Sequence, residues 1–173
     1  MNLAARCVPI QLILTDVDGV LTDGSVILDD RGVQTLRFHI RDGLGGKLWQ
    51  RAGGRLGIVT GRKTDALSRR AADLEVDLMR QGVADKLPVV EEICRELGLA
   101  AEQVAYLGDD LPDVQPIRFA GLGVAVADAV SEVRAAADYV TSVPGGGGAL
   151  RELIELILQN TNRWEETIAH YTA

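Results

Sequence analysis

The chain has 173 residues, of which 47% are hydrophobic and 25% are charged, and its formal net charge is −7. This length and composition fit one soluble globular domain, and the acidic balance argues against nucleic acid or an anionic membrane as a partner. A small anionic substrate is still compatible with the charge, provided that a local cluster of cations or a metal receives it.

Targeting signals are not expected in this sequence. No apolar run approaches the roughly 20 residues of a membrane-spanning helix, and residues 1–9 lack the apolar region of a signal peptide. The two cysteines, Cys7 and Cys94, are too few and too far apart to predict a disulfide framework or a zinc site. We therefore expect a cytoplasmic protein.

Patterns typical of buried strands and of helices alternate along the chain. The expected strands are Ile10–Asp16, Arg55–Val59, Asp77–Arg80, Gln103–Leu107, Gly121–Val126 and Tyr139–Thr141. The expected helices are Asp42–Ala52, capped by Asp42, then Thr64–Leu74, Asp85–Leu97, one from about Pro112, Ser131–Ala136 and Ala149–Gln159. This alternation predicts a three-layer α/β/α, Rossmann-like sandwich around a central parallel sheet.

The segment between the first strand and the first helix has a different pattern. Ser25–Leu28 and Val33–Ile40 flank a turn-rich tetrad, residues 29–32, and predict a hairpin over about residues 25–40 that protrudes from the sandwich. No repeat or linker divides the chain, so we expect one domain over residues 1–159. The polar residues 160–173 are expected to form a mobile tail or docking segment.

The first predicted strand ends in two aspartates, Asp16 and Asp18, which are followed by Gly19. A strand that is apolar on both faces is typical of parallel sheets, which open onto ligand-binding crevices at the carboxyl ends of their strands. Two ionised carboxylates this close require a counter-charge, so either a cation bridges them or one carries a proton. The pair therefore predicts a functional site.

Three further polar clusters follow predicted strands and should lie at the same edge of the sheet. They are Thr60-Gly61-Arg62, Lys86 near a helix start, and Gly108-Asp109-Asp110 with Asp113. Carboxylates hold Mg²⁺ through oxygen, whereas a hydroxyl and an ammonium hold phosphoryl oxygens, so this inventory fits phosphoryl transfer. Taken singly, the clusters also fit plainer roles, such as Thr60 capping the next helix or Lys86 being solvated at the surface.

These residues resemble all four motifs of the haloacid dehalogenase superfamily of phosphohydrolases. The matching positions are Asp16-Val17-Asp18-Gly19, Thr60, Lys86, and Gly108-Asp109-Asp110 with Asp113. The resemblance implies that Asp16 is a nucleophile that forms an aspartyl-phosphate, and that Asp18 protonates the leaving oxygen and then activates water. It also implies Mg²⁺ held by Asp16, the backbone carbonyl of Asp18 and Asp109, with Asp110 and Asp113 supporting these ligands.

Over nearly its whole length the chain is similar to the small phosphatases without a cap domain that act on sugar phosphates, and most closely to the 3-deoxy-D-manno-octulosonate (KDO) 8-phosphate phosphatases. Matching segments include Phe38–Gly43, Thr60–Lys63, Ala125–Ala129 and Gly145–Glu152. The resemblance implies hydrolysis of KDO 8-phosphate in lipopolysaccharide sugar biosynthesis. It also implies a homotetramer that is built by the hairpin and whose neighbouring subunits complete each active site.

Relatives that act on a nine-carbon keto-sugar acid phosphate (KDN 9-phosphate) carry an acidic residue at the position of Arg62 and a lysine at that of Asp73. Arg62 therefore favours the eight-carbon substrate, and Arg41, Gly61 and Arg62 are the expected substrate contacts. The family often has arginine where this chain has Gly147. The remaining alternatives are the nine-carbon phosphatase and a non-catalytic assembly domain, although the catalytic positions are all present here.

Overall fold

The structure is a computed structural model that describes residues 2–76 and 78–172. Its strands are β1 (Leu12–Thr15), β2 (Ile27–Leu28), β3 (Gln34–Thr35), β4 (Arg55–Thr60), β5 (Leu78–Gln81), β6 (Val104–Gly108), β7 (Leu122–Ala125) and β8 (Tyr139–Val140). Six of them form one sheet in the order β5-β4-β1-β6-β7-β8, with every neighbouring pair parallel. The predicted central parallel sheet is confirmed.

Helices cover both faces of this sheet. They are α1 (Leu3–Cys7), α2 (Ile40–Arg51), α3 (Asp65–Asp73), α4 (Lys86–Leu97), α5 (Val114–Phe119), α6 (Ser131–Ala136), α7 (Ala149–Asn160) and α8 (Trp164–Thr172). One layer contains α1, α2, α7 and α8, which pack on one another, with α3 beside α2; α4, α5 and α6 form the other. Within the described residues no helix has the length and apolar character needed to cross a membrane.

The strand β1 lies at the centre of the sheet, between β4 and β6. All four of its residues are buried, and each aliphatic side chain removed from water in this way contributes about 1.5–3 kcal/mol. After β1 the chain builds outward through β4 and β5 and then returns to place β6 on the other side of β1. This reversal opens a crevice at the carboxyl end of β1, where parallel α/β sheets bind ligands.

The hairpin is shorter than predicted. Only Ile27–Leu28 and Gln34–Thr35 pair, in antiparallel register. Isolated two-stranded ladders are marginal in water without a covering layer, and the side chains of Val26, Ile27, Leu28 and Val33 are 49–61% exposed. Within the described residues, these four side chains are therefore not buried in a core.

The start of the first long helix differs from expectation. The cap assigned to Asp42 is wrong: α2 begins at Ile40, and the His39 ring accepts the backbone N–H of Arg41. Asp42 instead accepts the backbone N–H of Arg151, at the start of α7, at 2.9 Å. Part of the strand predicted over Asp77–Arg80 falls on Asp77, which lies outside the described residues.

The segment predicted as a tail contains helix α8 and packs on its own domain. The guanidinium of Arg151 lies 5.3 Å from the ring centre of Trp164. Arg51 on α2 donates to the hydroxyl of Tyr171 at 2.8 Å. In the part of the chain that the structure describes, this segment is therefore folded against α2 and α7.

Candidate active site

A cleft of about 370 Å³ opens at the carboxyl ends of the central strands. The predicted site residues that line it are Asp16, Asp18, Thr60, Gly61, Arg62, Lys86, Asp109 and Asp110. Asp113 is fully buried, in contact with Lys86. Arg41 is exposed at the start of α2 and is not among the residues that line the cleft.

The loop after β1 is folded tightly around one carbonyl. The carbonyl oxygen of Val17 accepts the N–H groups of Val20, Leu21 and Thr22 at 3.2, 2.9 and 3.0 Å. Gly19 has φ +82°, and a Cβ at this position would lie 2.1 Å from Oδ2 of Asp109. Glycine is therefore required here, both for the left-handed backbone and for the approach of Asp109.

A second glycine, Gly145, packs against the backbone of this loop. Gly145 lies so close that a Cβ would be 1.8 Å from the carbonyl oxygen of Gly19. Its N–H donates to Oδ1 of Asp128 at 2.9 Å, and the N–H of Gly146 donates to the carbonyl of Val20 at 2.9 Å. The glycine-rich segment before α7 thus acts as a backbone support for the loop that carries Asp18.

Lys86 bridges two carboxylates inside the protein. Its Nζ lies 2.8 Å from Oδ2 of Asp16 and 2.6 Å from Oδ1 of Asp113, and its side chain is only 4% exposed. Burial alone would lower the pKa of Lys86, but the charges of Asp113 and Asp16 outweigh it and raise that pKa. The ammonium is therefore charged at neutral pH and is fixed beside Asp16.

Each carboxylate oxygen of Asp113 accepts two hydrogen bonds. Oδ1 accepts from Lys86 and from the hydroxyl of Tyr106 at 2.8 Å, while Oδ2 accepts the N–H groups of Asp109 at 3.1 Å and Asp110 at 3.4 Å. Sequence reasoning missed Tyr106. Its signal was a phenol within a strand that is otherwise apolar, since a buried hydroxyl needs a partner.

Two other carboxylates at the site each have one oxygen without such a partner. Oδ1 of Asp16 and Oδ1 of Asp109 are buried without a hydrogen-bond donor. Burial, followed by the charge of Asp113, raises the pKa of Asp16 to about 6 and that of Asp109 to about 7. Lys86 alone therefore does not balance the negative charge of Asp16, Asp109 and Asp113.

A divalent cation would supply the missing positive charge. Asp16, Asp109 and Asp113 each offer an oxygen within 4.8 Å of the others, but both oxygens of Asp113 already accept hydrogen bonds. Asp16 and Asp109 are consequently the side chains suited to hold a metal, and a set of oxygen donors suits a hard ion such as Mg²⁺.

Arg62 donates hydrogen bonds to both Asp18 and Thr60. The guanidinium of Arg62 donates to Oδ1 of Asp18 at 3.2 Å and to the side-chain oxygen of Gln34, on the hairpin, at 3.1 Å. Thr60 accepts the N–H of Arg62 at 3.3 Å, and α3 is capped by Thr64. The alternative role of Thr60 as a cap for α3 is therefore wrong.

The loop after the central strand, Thr60, the buried Lys86 and the acidic turn at Asp109 lie at one edge of the parallel sheet. This arrangement is typical of the haloacid dehalogenase-like hydrolases. The model of the family described by that name matches residues 75–153. The KDO 8-phosphate phosphatase of Haemophilus influenzae is 42% identical over 150 residues, which span 87% of this chain and 83% of the relative. The chain belongs to the family of the KDO 8-phosphate phosphatases.

Further comparisons support this assignment. The KDO 8-phosphate phosphatase of Escherichia coli K12 is 38% identical over 95% of this chain and 88% of the relative. The crystal structure of the Moraxella catarrhalis KDO 8-phosphate phosphatase, in complex with magnesium, phosphate and KDO, has a TM-score of 0.96 at 38% identity and covers 98% of this chain and 97% of its own. The family and fold predicted from the motifs are confirmed.

Mg²⁺ is expected to stabilise the folded protein through Asp16 and Asp109. At 100 times its Kd, a ligand that binds only the folded state contributes about 2.7 kcal/mol, which for this chain length raises the Tm by roughly 5–10 °C. Scanning calorimetry with EDTA and then with excess Mg²⁺ measures the rise. Asp109→Asn should remove most of it, whereas Asp65→Asn, the same change at an exposed aspartate outside the cleft, should retain it. Equal rises in both variants would contradict this ligand assignment.

Proposed function

We propose that this protein is a Mg²⁺-dependent phosphatase that releases phosphate from KDO 8-phosphate in lipopolysaccharide sugar biosynthesis. The observation that carries the proposal is the Asp16–Lys86–Asp113 bridge beside Asp109, in a chain related over most of its length to phosphatases of that substrate. The reaction requires a nucleophile, an acid, a base and positive charge at the phosphoryl group. The cleft contains a residue for each role.

Asp16 is the proposed nucleophile. One of its carboxylate oxygens attacks phosphorus, and the bond between phosphorus and the sugar oxygen breaks. Asp18 transfers a proton to that oxygen, so the sugar leaves as an alcohol. Asp18 then takes a proton from water as the water attacks phosphorus. Cleavage of the Asp16–phosphorus bond releases inorganic phosphate, restores the carboxylate of Asp16 and leaves Asp18 protonated for the next turnover.

In this attack the anionic carboxylate of Asp16 approaches an anionic phosphoryl group, so cations are needed near the phosphoryl oxygens. Lys86 supplies one within 2.8 Å of Asp16, and Thr60 supplies a hydroxyl at the cleft wall. Mg²⁺ held by Asp16, the backbone carbonyl of Asp18 and Asp109 would add further charge stabilisation. Asp113 orients Lys86, and Asp110 borders the same turn.

Arg62, together with Gly61, is the proposed contact for the acidic sugar. Its guanidinium is half-buried at the cleft and close to Asp18, so it can meet an anionic group on the substrate while the phosphoryl group lies against Lys86. A guanidinium is suited to bidentate recognition of a carboxylate. Arg41 lies outside the cleft of its own chain. It therefore stays a proposed substrate contact only for the active site of a neighbouring subunit.

A substrate panel tests this specificity. With Mg²⁺ at saturation, kcat/KM is expected to be at least about tenfold higher for KDO 8-phosphate than for KDN 9-phosphate, a difference of about 1.4 kcal/mol in transition-state stabilisation. Phosphate release measured for both substrates, with a simple phosphomonoester as reference, decides the question. A preference for the nine-carbon substrate would overturn the choice, and no hydrolysis of any phosphomonoester would favour an assembly role.

We also propose a homotetramer in which neighbouring subunits complete each site. Four aliphatic side chains of the hairpin, Val26, Ile27, Leu28 and Val33, are about half exposed or more, and such a patch is typical of an interface. Gln34 of the same hairpin contacts Arg62, which links this surface to the cleft.

The cytoplasm is the proposed location, supported by the two buried free thiols, Cys7 and Cys94.

Light scattering tests the assembly. At micromolar concentration we expect a mass four times that of the 18.6 kDa chain. Leu28→Lys should lower the mass by placing a charge in the interface, whereas Val8→Lys, at an aliphatic residue that is 66% exposed outside the hairpin, should not. A monomeric wild-type protein would contradict the proposal.

A further inference from the structure

Tyr106 is a buried ionisable group that the proposed reaction does not use. It lies on β6, next to the central strand, and its side chain is fully buried. Burial, and then the nearby charge of Asp113, holds its pKa well above the ordinary value. The phenol therefore stays protonated and acts as a permanent hydrogen-bond donor.

The acceptor of this hydrogen bond is the atom that also binds the proposed catalytic lysine. Oδ1 of Asp113 accepts from the hydroxyl of Tyr106 at 2.8 Å and from Nζ of Lys86 at 2.6 Å. Nζ of Lys86 also lies 2.8 Å from Oδ2 of Asp16. One ammonium is thus shared by two carboxylates, and the phenol contacts only one of them.

This asymmetry affects where the ammonium lies. A donor on Oδ1 of Asp113 withdraws part of the negative charge that the oxygen presents to Lys86. Without the phenol, Asp113 would attract Lys86 more strongly than Asp16 does. Its other oxygen is fixed by two backbone N–H groups, so the carboxylate cannot turn away, and the lysine would move.

We propose that Tyr106 is a positioning residue for phosphoryl transfer: its hydroxyl occupies Asp113 so that Lys86 remains shared with Asp16 and presents its third proton to the phosphoryl group. The inference rests on the proposed function, in which Lys86 stabilises charge at that group. Tyr106 is thus a buried residue outside the cleft lining that orients the ammonium of Lys86.

Tyr106→Phe removes the hydroxyl and keeps the ring. Outer contacts of this kind typically change activity by 10–100-fold, and we expect kcat on KDO 8-phosphate to fall about tenfold with KM within about twofold of the wild type, because the lysine acts mainly on charge that develops during transfer. A kcat within twofold of the wild type would overturn the proposal.

Tyr139→Phe is the matched control. The hydroxyl of Tyr139 donates to Oε1 of Glu152 at 2.7 Å, so the same chemical change removes another phenol–carboxylate hydrogen bond, on the outermost strand. Its kcat should stay within twofold of the wild type at a temperature below the Tm of both variants. A fall equal to that of Tyr106→Phe would mean that the loss is structural.

Two further measurements separate this inference from the proposed function. In Asp113→Asn, adding Tyr106→Phe should lower kcat by less than twofold more, since the phenol acts through Asp113; full additivity would contradict the inference. A crystal structure of Tyr106→Phe should show the distance from Nζ of Lys86 to Oδ2 of Asp16 beyond 3.5 Å, and an unchanged 2.8 Å contact would refute the inference even if the wild type hydrolysed no KDO 8-phosphate.

Discussion

In the Asp16→Asn variant, kcat on KDO 8-phosphate is expected to fall by at least about 10³-fold, because an amide cannot form the proposed acyl phosphate. The fold should survive. In metal-free buffer the Tm should equal or exceed that of the wild type, since the change removes a buried negative charge from a group that includes Asp109 and Asp113. Steady-state phosphate release and scanning calorimetry measure the two effects on the same samples.

The raised pKa of Asp16 predicts how the stability difference between Asp16→Asn and the wild type changes with pH. The pKa of Asp16 in the folded protein, about 6, lies above the 3.8 of an unperturbed aspartate. The ionised form therefore costs stability above about pH 6, and the cost decreases as the pH falls through that value. The stability advantage of Asp16→Asn over the wild type should accordingly be larger at pH 8 than at pH 5.

Asp65→Asn provides the control for this variant. Asp65 is exposed in the first turn of α3, outside the cleft, and the same substitution there should change kcat by less than twofold. Wild-type turnover in Asp16→Asn would refute the nucleophile assignment, and so would equal losses in the two variants.

Lys86→Met is expected to be the most destabilising single change at the site. It leaves Asp16 and Asp113 buried without their cation, and breaking a buried ion pair from one side costs about 3–5 kcal/mol. For a chain of this length that lowers the Tm by roughly 6–20 °C. Turnover should also be lost, because no ammonium remains beside the phosphoryl group. Urea unfolding in EDTA measures the stability, with Lys63→Met, at an exposed lysine, as the control.

The double variant Lys86→Met/Asp113→Asn separates the two effects. Removing the charge of Asp113 together with the lysine should restore part of the lost stability, since fewer unpaired charges stay buried. Turnover should remain absent. If Lys86→Met were as stable as Lys63→Met, the description of Lys86 as a buried bridge would be wrong.

The sequence was sufficient for the elements whose signals are local. The apolar runs before Asp16, Thr60 and Asp109 predict the central strands, and parallel strands bring their ends together at one edge, so most of the cleft follows from the order of motifs. Gly98, which ends α4 in the left-handed conformation, and the span Ser131–Ala136 of α6 are further local signals that the structure reproduces.

The features that were missed depend on residues far apart in the chain. The sequence predicts that Asp42 caps its own helix. Its carboxylate instead accepts the backbone N–H of Arg151, at the start of α7 and more than 100 positions later. Tyr106 looks like one more core residue until the fold places Asp113 beside it. The hairpin strands were predicted too long because the turn-rich tetrad at residues 29–32 locates the turn but does not show how far the flanking segments pair.

The position of β1 has a consequence for synthesis of the protein. The strand β1 is made before both of its neighbours in the sheet, and it is paired on both sides only after β6 has been made. The loop after it is completed later still, when Gly145 reaches the carbonyl of Gly19. A nascent chain therefore holds Asp16 and Asp18 without a formed site until Gly145 has been translated, and the site should become competent only after that point.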